Sequence, residues 1–225
     1  MISTGNDIIA IASINAGRTK ESRFYSKIIS REEKQLYSGE IAGAMPFEYF
    51  VWLAWSIKES TYKYLKRGNK DLLFSPLKIN ISSFICPAKL LIGALGAEPR
   101  QADSIDKSGA VITKVHSGSC MLECRSILYD ELIYSVAAGP EGFDAVSWGI
   151  MSIASDLASD QSAAVRSFAA ARLKSLFPDT GLSIEKDFYG VPGVVCNGEH
   201  WRLPLSFTHH HNFVAYSFLR PLPNI

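Results

Sequence analysis

Between Pro46 and Arg67, the apolar residues Phe50, Leu53, Ala54 and Ile57 recur in steps of one, three or four. That is the spacing of one face of an α-helix. Pro46 suits the first turn, and Gly68-Asn69 suits the stop. A second face of the same helix carries Glu48, Trp52, Trp55, Glu59 and Lys63, again at steps of three and four.

The remaining pattern is mostly of period two. Residues 2–14, with Ile2, Ile8, Ile9, Ile11 and Ile14, read as a strand interrupted by Gly5 and carrying Asp7. After an aromatic and apolar stretch at 22–29, Ser30 followed three residues later by Glu33 has the capping-box form and predicts a helix from about 31. A strand is expected at 77–84, an unassigned region around 88–97, and strands near 109–117, 119–128 and 131–138. HSGS at 116–119 reads as a hairpin turn, and 138–142 as a loop. Residues 141–160 fit no element well. A second helix is predicted over about 160–177, with Val165, Phe168, Ala169, Leu173 and Leu176 on its apolar face and Pro178 as its stop. From 188 to 219 the chain reads as two or three strands with tight turns at Gly190–Gly193 and Asn197-Gly198. Helices and strands mix in both parts, 1–140 and 141–225, so the class is α+β.

Composition narrows the function classes. With 23 basic against 22 acidic residues the net charge is +1, and nothing points to nucleic-acid binding by bulk electrostatics. The longest apolar runs fall short of the ~20 residues of a membrane helix. The first residues lack a basic region followed by an apolar core and a cleavage site, so a cytoplasmic protein is expected. Cys86, Cys120, Cys124 and Cys196 form no CxxC zinc pattern and read as free thiols.

Three places carry candidate chemistry. Glu59 and Lys63 by themselves form an i,i+4 pair worth about 0.2–0.5 kcal/mol, yet they share a helix face with two tryptophans. Asp7 and Glu59 are sparse acids of the kind that suits Mg²⁺ on a phosphate-bearing ligand, because this ion takes one or two carboxylates and keeps waters or phosphate oxygens for the rest. Nearby lysines would offset phosphate charge. The run His209-His210-His211 suggests a metal, but on a strand only His209 and His211 share a face. A loop with one functional histidine fits better than a metal cluster.

The segments GNDIIAI (5–11) and WSIKESTYK (55–63) resemble the two signature motifs of the 4′-phosphopantetheinyl transferase superfamily, a glycine-x-aspartate strand and the helix motif W-x-x-K-E-(A/S)-x-x-K. RFYSKIISREE (23–33) resembles the segment between them. AVRSFAAARLKSLF, YGVPGVV and LPLSFTHHHNFVAYSF are similar to the first half of surfactin-type members: an arginine-bearing helix, a Gly-Lys-Pro turn and a Ser-His strand end. The halves stand in exchanged order, which resembles a circular permutation; a stretched holo-acyl-carrier-protein synthase is the alternative. The likeness covers about residues 1–85 and 160–225.

The resemblance implies two similar α+β halves related by a pseudo-twofold axis, and an Mg²⁺-dependent transfer of the phosphopantetheine arm of coenzyme A to a serine of an acyl or peptidyl carrier protein, in fatty-acid, polyketide or peptide synthesis, releasing 3′,5′-ADP. By motif position it implies Asp7 and Glu59 as metal ligands, and Glu59 and Lys63 as catalytic residues. Lys58, Arg166, Thr208 and His209 would contact coenzyme A phosphates. Two halves in one chain imply a monomer. Surfactin-type members carry a glutamate two residues after the aspartate, where this chain has Ile9, and holo-synthase-type members carry one three residues after it, where this chain has Ala10. Val191 stands in place of the Gly-Lys-Pro lysine.

Overall fold

The computed structural model describes residues 3–139, 142–178 and 180–221. β1 (Thr4–Ala10) is followed by four short helices, α1 (Ala16–Lys20), α2 (Ser22–Tyr25), α3 (Arg31–Leu36) and α4 (Gly39–Ala44), and then by the long α5 (Phe47–Lys66). Six strands come next: β2 (Asn80–Ile85), β3 (Arg100–Ala102), β4 (Val111–Ser117), β5 (Cys120–Leu128), β6 (Leu132–Ala138) and β7 (Val146–Ser152). α6 (Ala158–Leu176) precedes β8 (Leu182–Lys186), β9 (Pro192–Cys196), β10 (Glu199–Trp201), β11 (Leu205–His210) and β12 (Phe213–Leu219).

The strands form three antiparallel sheets, ordered β1-β6-β5-β4-β2, β11-β12-β7-β3 and β10-β9-β8. The first two stack face to face between the two long helices. Strand alternation builds the layers. On β6, Ile133 and Ala137 point to α5, where they meet Phe50, Leu53, Ala54 and Ile57. Tyr134, Val136 and Ala138 point the other way, onto Val146, Trp148, Ile150 and Ala215 of the second sheet. On the far side of that sheet, Val214, Tyr216 and Phe218 receive Val165, Ala169 and Leu173 of α6. The class is α+β, as the sequence pattern predicts.

Several boundaries differ from expectation, each for a local reason. The first strand ends at Ala10 because Ile11–Ser13 turns into a 3-10 helix, and Ile2 lies outside the described residues. The residues 141–160 that resist assignment contain β7, buried on both faces at its start and so without alternation. β3 comes from the part before residue 140 but joins the second sheet through β7. Within 188–219 there are four strands, because the three-residue β10 folds back on β9 through Asn197-Gly198, both at positive φ. The 116–119 turn closes on Gly118-Ser119, with Gly118 at φ +57°. Of the loop at 138–142, Pro140 and Glu141 lie outside the described residues.

β1 and β11 are edge strands of different sheets, and side chains stitch them together in parallel. The Asn6 amide donates to Ser206 Oγ at 3.1 Å. Four residues further on each strand, the Ala10 amide donates to His210 Nδ1 at 3.0 Å. Alternate side chains of β11 thereby satisfy edge N–H groups of β1 that no neighbouring strand pairs.

Candidate active site

Asp7 lies in the middle of β1, 3 % exposed, on the side facing α5. α5 can sit this close because Gly5 has no side chain: a Cβ there would meet the Ser60 carbonyl oxygen and the Tyr64 amide. One helical turn past Glu59, the Lys63 ammonium donates to the Asn6 carbonyl at 3.0 Å and to Asp7 Oδ1 at 3.2 Å. It also stands 3.4 Å from Glu59 Oε1. Lys63 therefore bridges the two carboxylates. Trp55 Nε1 donates to Glu59 Oε2 at 2.9 Å, and Trp52 Nε1 to Thr19 Oγ1 at 3.1 Å. The tryptophans on the charged face are thus anchors, one of them holding Glu59 directly.

From the second sheet, Thr208 donates its hydroxyl to Asp7 Oδ1 at 3.1 Å. Asp7 Oδ2 is buried without a hydrogen-bond partner among the described residues. A buried carboxylate oxygen without a donor is costly, and a cation supplied from outside would satisfy it. Asp7, Glu59, Lys63, Thr208 and His209 all line one cavity of about 600 Å³. Trp52, Trp55, Ser13, Lys186, Phe207 and His210 line it as well.

Electrostatics follow from burial. Burial raises the Asp7 carboxyl to about 6; Lys63 opposes that rise and Glu59 adds to it. Burial pushes the Lys63 ammonium down, but Asp7 and Glu59 outweigh it and the net shift is upward. His209 is lowered by burial and by the charges of Lys63 and Lys186. His210 is lowered by burial and by His211. Because His210 Nδ1 accepts the Ala10 amide, its Nε2 carries the proton of the neutral ring.

Two expectations need correction. Lys58 does not face the cavity. It is fully buried, 2.6 Å from Glu33 Oε2 and 2.8 Å from the Ile28 carbonyl. Glu33 does cap its helix through Ser30, but it also accepts the Ile81 amide and the Lys58 ammonium, tying α3, α5 and β2 together. Thr208 does line the cavity, where its hydroxyl donates to Asp7. Second, the histidines are not a loop. His209 and His210 belong to β11, and only His211, at φ 52°, sits in the turn. Pairing His209 with His211 hides His210, whose signal is the alternation Ser206, Thr208, His210. Arg166 donates to Ser162, which lines the cavity while Arg166 itself does not.

Residues 3–102 match the family model of the 4′-phosphopantetheinyl transferase superfamily. Over that span the chain is similar to members of this superfamily. No curated protein and no solved structure gives a significant match. The superfamily's general chemistry is phosphopantetheine transfer from coenzyme A to carrier proteins, and the matched residues include Asp7, Glu59 and Lys63. The match stops before β11, so Thr208, His209 and His210 join the superfamily residues through the fold alone.

For Mg²⁺, the hard oxygen donors of Asp7 and Glu59 and the orphaned Asp7 Oδ2 fit the ion. Among the described residues no group of three His, Cys, Asp or Glu side chains stands together for a metal. Asp7 and Glu59 would supply two carboxylates, a number that suits an ion completed by phosphate oxygens and water. Among the described residues no helix is long and apolar enough to cross a membrane.

Proposed function

We propose that the chain transfers the phosphopantetheine arm of coenzyme A to a serine hydroxyl of an acyl or peptidyl carrier protein. The observation that carries this reading is the convergence of Asp7 from β1, Glu59 and Lys63 from α5, and His209 from β11 on one cavity. Asp7 and Thr208, 201 positions apart in sequence, share a hydrogen bond there.

Asp7 and Glu59 would hold Mg²⁺, which when bound neutralises pyrophosphate charge. Glu59, fixed by Trp55, takes the proton from the incoming serine, directly or through water. The serine oxygen bonds to the phosphorus that bears the pantetheine, the bond from that phosphorus to the bridging oxygen breaks, and 3′,5′-ADP leaves. Lys63 stabilises the charge that develops on the leaving phosphate. Thr208 orients Asp7. His209, supported by Lys186 and by Arg166 behind Ser162, contacts the phosphates of coenzyme A. One long helix on the outer face of each stacked sheet fits an arrangement of two related halves.

The test is incubation with coenzyme A, Mg²⁺ and an apo carrier protein. A mass gain of about 340 Da on the carrier, one phosphopantetheine arm, is expected. A relative that binds coenzyme A or a carrier without transfer is the second reading; Ile9, lining the cavity where surfactin-type members carry a third acid, favours it. Coenzyme A binding without any mass gain across several carriers would select that reading.

A further inference from the structure

Ala10, the last residue of β1, is held from both sides by groups of the cavity. Its amide donates to His210 Nδ1 at 3.0 Å, and its carbonyl accepts the Ser13 hydroxyl at 2.7 Å. His210 and Ser13 both line the cavity of about 600 Å³. Each commits one hydrogen-bonding group to Ala10 and has another left over. With Nδ1 accepting, the neutral ring carries its proton on Nε2, which has no acceptor among the described residues. The Ser13 hydroxyl has given its proton to Ala10 and keeps lone pairs on Oγ. This corner therefore offers one fixed donor and one fixed acceptor, both anchored on the same residue of β1.

Charge decides what such a corner takes. Strand alternation puts His209 and His210 on opposite faces of β11. Lys63 and Lys186 act on the His209 ring. The charges that reach His210 are those of His211, Glu59 and His209, with no lysine or arginine among them. A phosphate at His210 would face a carboxylate and no ammonium, so it belongs with Lys63 instead. An uncharged group that both accepts and donates fits the corner. A secondary amide is such a group: its carbonyl takes the Nε2–H and its N–H reaches a lone pair of Ser13 Oγ. Ile8, Ile9 and Trp52 line the same cavity and give apolar surface for the methylenes that flank such an amide.

We propose that Ser13 and His210 form an amide-recognition corner, which fixes a secondary amide of a ligand whose phosphates lie at Lys63. On the transferase reading, on which the choice of ligand rests, that amide belongs to the pantetheine arm of coenzyme A. A single molecule with phosphates at one end and amides along its arm reaches both parts of the cavity, which favours the arm over the main chain of a carrier. His210 then aligns β1 through Nδ1 and holds the arm through Nε2.

The experiment uses the full chain with ¹⁵N-labelled histidine, titrated in turn with 3′,5′-ADP, pantetheine and coenzyme A. Pantetheine and coenzyme A should shift the His210 Nε2 signal, and 3′,5′-ADP, which has phosphates and no arm, should leave it in place. A signal that moves with 3′,5′-ADP as much as with coenzyme A overturns the corner, and so does one that moves with none of the three. A signal moved by an apo carrier protein and not by pantetheine overturns the arm as the source of the amide. His210→Asn keeps an acceptor for the Ala10 amide, because Oδ1 takes the place of Nδ1, but has no N–H where Nε2 stood. Its affinity for coenzyme A should fall about fivefold, with that for 3′,5′-ADP unchanged. Ser13→Ala should repeat the pattern. Equal losses for the two ligands, or no loss for coenzyme A, overturn the corner. Carrier modification by a chain whose His210 signal ignores coenzyme A overturns the corner and leaves the transferase reading standing. A pantetheine shift in a chain that modifies no carrier and binds no 3′,5′-ADP supports the corner and sinks that reading.

Discussion

Gly5 and Ser60 meet backbone to backbone: a Cβ on Gly5 would lie 2.1 Å from the Ser60 carbonyl oxygen. That close approach of β1 and α5 sets the distance at which Lys63 spans Asp7 and Glu59. Gly5→Ala must push the helix away. A loss of about 1–3 kcal/mol in stability is expected from overpacking, read as a lower urea midpoint. Carrier modification should fall further than the folded fraction, since the Lys63 bridge is broken in the molecules that still fold. An unchanged midpoint would refute the close contact.

Glu59→Gln keeps the shape of the side chain but removes its charge and its basicity. Transfer to the carrier should be lost while the circular dichroism spectrum and melting temperature stay near wild type. Trp55→Phe should act more mildly, because it removes only the indole donor to Glu59 Oε2. One hydrogen bond to a charged group is worth about 1.5–3 kcal/mol, so a drop in rate of about tenfold or more is expected, with coenzyme A affinity little changed. Full activity in Glu59→Gln would remove Glu59 from the chemistry.

Asp7 makes stability depend on pH in an unusual direction. Its carboxyl holds a proton up to about pH 6, against an ordinary value of 3.8. Between those values the native state binds more protons than the unfolded chain, so this group's contribution to stability falls as pH rises. Asp7→Asn lacks that penalty. Relative to wild type the variant should therefore gain stability between about pH 4 and 6, by up to about 3 kcal/mol, and the difference should level off above. Denaturant melts at pH 4, 5, 6 and 7.5 measure it. A difference that shrinks with rising pH would contradict the burial of Asp7.

Lys58 separates a structural role from a phosphate role. Lys58→Met leaves the Glu33 carboxylate buried without its cation, which costs about 3–5 kcal/mol. Affinity for coenzyme A per folded molecule should be unchanged. A variant of normal stability with weakened coenzyme A binding would restore Lys58 to the phosphates.

What could be read along the chain depended on how local the cause was. α5 was legible within a residue or so at each end, because its stripe, its proline and its glycine are all close in sequence. Asp7, Glu59 and Lys63 stood out through two short motifs. The burial of Lys58 is not legible locally, because its partner, Glu33, is 25 residues away and already has a complete role as a cap. β7 leaves no period-two signal, because a strand covered on both sides shows no alternation. The role of Thr208 depends on Asp7 at the opposite end of the chain, and no local pattern could reveal it.

The seam between β1 and β11 turns the cleft into a reporter of correct folding. Its three stitches, Ser206, Thr208 and His210, all come from alternate positions of one strand. A slip of β11 by one residue would turn Phe207 and His209 toward β1 and leave Asp7 without its hydroxyl donor. Such a molecule could keep both helices and most of its buried surface while losing the site. Contacts spanning some 200 residues carry a large loop-closure cost, so competence would arrive after compactness, and a preparation could look folded by helix content yet contain a silent fraction.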